Sequence, residues 1–332
     1  SDFHLKYEFT RDRSLVRIGM KISIWNERHF PYCRPGTSMI KRTHFVTLLL
    51  ALLLTADAVC AQGLSPVKKQ EVEAVCTADG LVVTACPLAS AVGAVILGKG
   101  GKAADAAVAV GFALAVTFPP AGNIGGGGFM LLRSRSGDCS FFDFRERAPS
   151  SATEDMYIGE DGEVIDGLSI YGHRAVGVPG TVAGLDLVCR EHCTMPWRDL
   201  LEPAIALARD GFVVSEHLAR YLSRLDRHIA EFEGLGVFCM PDGHLCSAGD
   251  TLRQPDLART LQRISDLGPE DFYRGVTAKL ICLEMERGGG TITADDLESY
   301  RAVEREPLYG SYRGFTVISA PPPSSGGTVL LE

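Results

Sequence analysis

The sequence predicts one mixed α/β unit, and three observations carry the prediction. Two Ala-rich stretches, PLASAVGAVILG at 87–98 and AADAAVAVGFALAVT at 103–117, are apolar nearly all round, as buried helices are. A strand hairpin is legible in FMLLRSRSGDCSFFDFRERAP, where two apolar runs flank the turn SGD. From residue 181 onward, amphipathic segments recur and end near Gly or polar breaks. With 332 residues and 46% hydrophobic content the chain can bury a sizeable core.

Each element has a local reason. Gly100 and Gly101 separate the first helix from the second, and Pro119 and Pro120 stop the second from continuing. AGNIGGGGFM, residues 121–130, then places Gly125, Gly126, Gly127 and Gly128 just before the first strand. There glycines let the chain turn tightly where side chains would crowd neighbouring backbone. The hairpin delivers Asp143, Phe144 and Arg145 to its far end. VPGTVAGLDLVCREH reads as a turn and a helix starting at Thr181. Helical spacing follows in WRDLLEPAIALARDG, SEHLARYLSRL, QPDLARTLQRISD and EDFYRGVTAKLICLEMERGGG. In TADDLESY, Thr293 with Asp296 forms an acidic variant of the capping box. YGSYRGFTVIS is a short strand pair that enters the loop PPPSSGG. No internal repeat or long linker interrupts this order.

The N-terminus has a different character. From Met39 the chain runs MIKRTH, the apolar FVTLLLALLL and then small residues, the order of a secretory signal over 39–61. Cleavage is expected after Ala61, with Ala58 the alternative, and the product would be periplasmic or extracellular. A membrane anchor is the plainer reading, but the apolar stretch is shorter than the ~20 residues that span a bilayer. Residues 1–38 are an unexplained extension, expected to be upstream sequence and not native protein. The formal charge of −8 includes nine Lys/Arg against five Asp/Glu in residues 1–61, so the remainder is more acidic still. No basic face is visible, which argues against a nucleic-acid partner.

The short motifs are mostly negative. The glycine run lacks the later Gly of a dinucleotide fingerprint and precedes a strand where that motif feeds a helix. LGKGGKAAD fails the P-loop pattern because Ile96 and Ala103 stand at its first-Gly and Ser/Thr positions. No G-x-S-x-G elbow or H-E-x-x-H helix occurs. His173 and His217 are lone histidines, more often surface or core than bases. Asp143 and Glu146 could form a carboxylate pair, though Arg145 and Arg147 more simply make a mixed-charge turn. Eight cysteines remain after Cys33 and Cys60 are removed with the leader, and Cys239 with Cys246 is the leading disulfide candidate across MPDGHL. CREHC, Cys189 to Cys193, lacks a second ligand cluster for zinc and reads as a helix end. Nothing points to a metal or an organic cofactor.

The sharp signal is the order of several segments. GGKAADAAVAVGFALAVTFPPAGNIGGGGFMLL, DFRERAP, GVPGTVAG, ALARDGF, TADDLESYRAVEREPLYGSYRGF and PPPSSGG occur in a succession that closely resembles the γ-glutamyltransferase family across residues 72–332. The resemblance implies an α+β fold, the N-terminal-nucleophile hydrolase αββα sandwich, present here only in part. It implies a precursor that cuts itself into a large and a small subunit, with 62–332 as the N-terminal part of the large one. The exposed threonine would attack a γ-glutamyl carbonyl with its own α-amine as base, and pass the acyl group to water or to an amino acid or peptide. In the family that threonine and the small subunit come later than Glu332, so this chain alone is expected to be inactive. The resemblance carries one substrate residue over: Arg145 of DFRE would pair with the donor's α-carboxylate, with Arg147 as its near decoy. An arginine fork suits a carboxylate through two charge-assisted hydrogen bonds. The alternatives are a glutaryl or cephalosporin acylase of the same family, or a non-catalytic remnant or exported binding module.

Overall fold

The computed structural model describes residues 76–77, 80–225 and 233–331. The extension 1–38, the signal expected at 39–61, Cys33 and Cys60 lie outside the described residues.

Helix α1 (Pro87–Gly98) begins with a proline in its first turn, where the missing N–H removes no helical bond. Together with α2 (Ala103–Thr117) it opens the helical layer as the sequence predicts, but only α2 is buried on nearly every side. Helix α1 packs on α2 through Ala89, Val92 and Ile96, while Leu88 and Val95 face outward. Small Ala side chains let α2 sit at the centre, in contact with α1, α3 (Thr181–His192) and α4 (Trp197–Asp210). Phe112 of α2 meets Trp197 edge-on at 5.4 Å, and the Trp197 indole donates to the Ile264 carbonyl at 3.0 Å. That carbonyl belongs to α6 (Pro255–Leu267), which packs along α4.

The strands are short. β1 (Phe129–Arg133) and β2 (Cys139–Asp143) form the expected hairpin, with Phe129 opposite Asp143 and Arg133 opposite Cys139. β5 (Val303–Arg305) pairs antiparallel on the other side of β2 and sets Val303 opposite Asp143. β3 (Phe212–Val213) pairs with β4 (Thr251–Leu252) around α5 (Glu216–Leu222). β6 (Leu308–Tyr312) and β7 (Phe315–Ser319) make the predicted strand pair, turned at Arg313 and Gly314 with φ of 51° and 85°. Helix α10 (Gly326–Leu331) follows the Pro/Ser/Gly loop.

Two expectations need correction. The segment read as one helix from Glu270 divides into α7 (Pro269–Tyr273) and α8 (Val276–Gly288). The Asp271 carboxylate accepts from the Val276 N–H and the Thr277 hydroxyl, so it caps α8 from inside the run. Cys239 bridges to Leu245, not to Cys246; neighbouring side chains on a strand leave opposite faces, and both thiols are free. Farther on, α9 (Ala294–Ser299) has the predicted box: Thr293 accepts from Asp296 N–H, and Asp296 accepts from Thr293 N–H at 2.9 Å.

Candidate active site

Arg145 follows β2, and both of its backbone polar groups, the N–H and the C=O, are taken by side chains. Asp143 accepts its N–H at 3.1 Å, and the Tyr300 phenol donates to its carbonyl at 2.8 Å. Asp143 is itself fixed from β5 by the Arg305 Nε at 2.8 Å, a pair in which the carboxylate is nearly buried. The sequence reading did not anticipate Arg305 or Tyr300.

The Arg145 side chain is exposed, and its Nη1 donates to the Pro323 carbonyl at 3.3 Å. The DFRE corner and the PPPSSGG loop therefore meet. Among the described residues no carboxylate pairs with Arg145. Arg147 is differently placed. Its guanidinium lies 5.4 Å from the centre of the Tyr300 ring and donates to the Arg301 carbonyl, while its backbone pairs with Val178. Both arginines of this turn are exposed; Arg147 lies over the Tyr300 ring, whereas the Arg145 fork reaches only the Pro323 carbonyl.

The glycine run shapes this corner by closeness. None of Gly125 to Gly128 has a positive φ. Gly128 exchanges two backbone hydrogen bonds with Phe144, which extends the β1–β2 ladder by one pair. A Cβ on Gly127 would lie 2.5 Å from the Phe144 carbonyl, 2.7 Å from the Glu146 nitrogen and 2.9 Å from the Arg145 Cα. The carbonyl of Gly126 accepts from the Gly180 and Thr181 N–H groups at the start of α3, and Asn123 ties Gly126 N–H to the Thr181 hydroxyl. The run thus joins the arginine corner to the helix of GVPGTVAG. Gly127→Ala is expected to push that corner aside at a cost of about 1–3 kcal/mol, typical of an overpacked site. Gly125→Ala has open space around it and is the control. Urea midpoints of the two variants check this, and equal midpoints would show that closeness at Gly127 is unimportant.

The other sequence candidates have structural partners. His173 pairs with Glu284 at 2.7 Å; hydrogen bonds from Arg287, then from His173, hold that carboxyl at about 2. His217 stacks on Phe118, with ring centres 6.4 Å apart. Asp143 is committed to Arg305 and the Arg145 N–H, and Glu146 is exposed, so the turn is the mixed-charge one. At the end of α3, a hydrogen bond between Cys193 and Cys189 raises the Cys193 thiol and lowers that of Cys189, with burial and nearby Asp105 adding to the rise. Among the described residues no group of three or more His, Cys, Asp or Glu is placed to hold a metal ion.

Known structures match the fold of this chain and define its class, the N-terminal-nucleophile hydrolases with an α+β fold. The crystal structure of Helicobacter pylori gamma-glutamyltranspeptidase matches with a TM-score of 0.76 and 43% identity over 78% of this chain and 74% of that one. Within the class, the family model described as Gamma-glutamyltranspeptidase matches residues 89–332, and the chain belongs to that family. The glutathione hydrolase proenzyme of Escherichia coli K12 is 43% identical over 302 residues, 89% of this chain and 52% of that protein. The Acylase ACY 1 proenzyme of a Pseudomonas strain is 41% identical over 259 residues, 76% of this chain and 46% of that protein. The chain spans about half the length of these two curated relatives.

Proposed function

We propose that the chain supplies the donor-recognition half of an exported γ-glutamyltransferase, a glutathione hydrolase. Arg145 binds the α-carboxylate of a γ-glutamyl donor such as glutathione through its planar fork. A threonine on a following segment, exposed by self-cleavage as the N-terminus of a small subunit, attacks the γ-carbonyl with its own amine as base. Water or an amino acid or peptide then takes the acyl group. The observation that carries the reading is the arginine corner: an exposed guanidinium with no carboxylate partner among the described residues, fixed at its backbone by Asp143 and Tyr300. Family membership supports the reaction class.

The likeness to an acylase proenzyme favours a second reading, removal of a glutaryl side chain. A γ-glutamyl and a glutaryl donor both carry the distal carboxylate that an arginine binds, and they differ by the α-amine. Arg145 therefore does not choose between them. Rates of the complete gene product on γ-glutamyl anilide and on glutaryl anilide decide: the hydrolase reading expects at least about tenfold preference for the γ-glutamyl donor, the value of one good polar contact. A preference for the glutaryl donor would establish the acylase.

A further inference from the structure

Tyr300 ends the capped segment TADDLESY, and the residue is 4% exposed. Its phenol reaches the Arg145 carbonyl, 155 residues away in sequence. The ring is stacked parallel on Tyr273, with centres 5.8 Å apart and planes 7° from parallel, and the Arg147 guanidinium sits over it. Tyr273 is anchored in turn: its hydroxyl donates to the Pro179 carbonyl at 2.9 Å and accepts from the Ala183 N–H at 3.2 Å. The stacked pair therefore spans from the start of α3 to the arginine corner.

Gly180 marks how closely these parts fit. A Cβ there would lie 2.0 Å from the Phe144 carbonyl and 2.1 Å from the Tyr300 hydroxyl. The Phe144 carbonyl and the phenol thus press on the same stretch of backbone, and a side chain on it would drive them apart. Burial pushes the Tyr300 phenol above its usual range, with Arg147 opposing, so the hydroxyl keeps its proton to donate at ordinary pH.

We propose that Tyr300 is a positioning residue for donor recognition, holding the Arg145 peptide from the carbonyl side so that the guanidinium meets the donor carboxylate. The inference rests on the carboxylate-binding role given to Arg145 above. Asp143 holds the N–H of the same residue, in the preceding peptide, and loss of either grip lets the corner turn about the other. A small displacement of this kind lowers the rate on a donor that uses the arginine and leaves other donors unaffected.

The test uses the complete gene product and two donors, γ-glutamyl anilide and 4-aminobutyryl anilide, which lacks the α-carboxylate. Tyr300→Phe keeps the ring and its stacking and removes one hydrogen bond. It is expected to lower kcat/KM on γ-glutamyl anilide about fivefold, with kcat/KM on 4-aminobutyryl anilide unchanged. Tyr273→Phe removes the support without touching the Tyr300 phenol and is expected to give a smaller loss with the same donor selectivity. Equal losses on both donors, as from misfolding or a purely structural tyrosine, overturn the proposal, and so does no loss on either. Arg145→Ala separates the two layers of the argument. If that variant leaves the γ-glutamyl rate unchanged, the carboxylate reading itself falls; if it lowers the rate and Tyr300→Phe does not, only the role of Tyr300 falls.

Discussion

Asp105→Ala is expected to destabilise the chain by about 3–5 kcal/mol, among the largest effects a single side chain can have. Asp105 is fully buried at the start of α2, and its carboxylate accepts four hydrogen bonds. Three come from backbone N–H groups, of Lys102 at 2.7 Å, Thr194 at 2.9 Å and Met195 at 2.8 Å, and one from the Thr194 hydroxyl at 3.0 Å. The carboxylate therefore caps α2 and also holds the turn between α3 and α4 against it. Alanine leaves the donors without this acceptor, and each buried donor left unpaired costs about 1–3 kcal/mol. Burial is the largest single influence on the acid and raises its pKa, but the Met195, Lys102 and Thr194 bonds together lower it below 3.8. A depressed acid contributes stability that is present above its unfolded pKa and lost as pH falls through the folded value. The wild type should accordingly lose stability from about pH 4 downward, and Asp105→Ala should show a flatter acid limb. Urea denaturation at pH 7 and pH 3 checks both parts. A cost under about 1 kcal/mol at pH 7 would mean that the turn is held by packing alone.

Arg145→Ala is expected to lower kcat/KM on a γ-glutamyl donor by about 10²–10⁴-fold. Two charge-assisted hydrogen bonds from one guanidinium, each worth about 1.5–3 kcal/mol, set that range. Arg147→Ala provides the contrast. Its guanidinium covers Tyr300 and bonds Arg301, so the loss should fall on stability and change donor selectivity little. Arg145→Lys should recover only part of the rate, because a point charge lacks the planar fork. Steady-state kinetics of the three variants in the complete gene product measure these differences. A larger loss of donor selectivity in Arg147→Ala than in Arg145→Ala would reverse the two assignments.

Much of this architecture is legible in the chain. The bounds of α1 and α2 follow from Pro87, the Gly100–Gly101 break and the Pro119–Pro120 stop, because local chemistry dictates them. The hairpin and the Thr293 box are local in the same sense. Arg145 stands out in the family pattern at DFRE, and the position of the glycine run directly before a strand is legible as well, with the Gly128 backbone pairing to Phe144.

What stayed hidden is non-local or depends on side-chain detail. The Tyr300 bond to Arg145 and the Arg145 bond to Pro323 join residues 155 and 178 apart, and no periodicity records such a pairing. Arg305 looks like any strand arginine until β5 is laid beside β2. The break between α7 and α8 turns on one carboxylate folding back, where spacing alone reads a continuous helix. The Cys239 and Cys246 thiols depend on which residue of the ribbon faces which, a register that spacing does not fix.

The central claim is that the corner built from Asp143, Arg145 and Tyr300 recognises the α-carboxylate of the donor. Its most direct measurement is the ratio of kcat/KM on γ-glutamyl anilide to that on 4-aminobutyryl anilide, in the complete gene product and in its Arg145→Ala variant. The account predicts a ratio that falls by about 10²-fold or more in the variant, with the 4-aminobutyryl rate nearly unchanged. An unaltered ratio would contradict it and would place carboxylate recognition elsewhere in the protein.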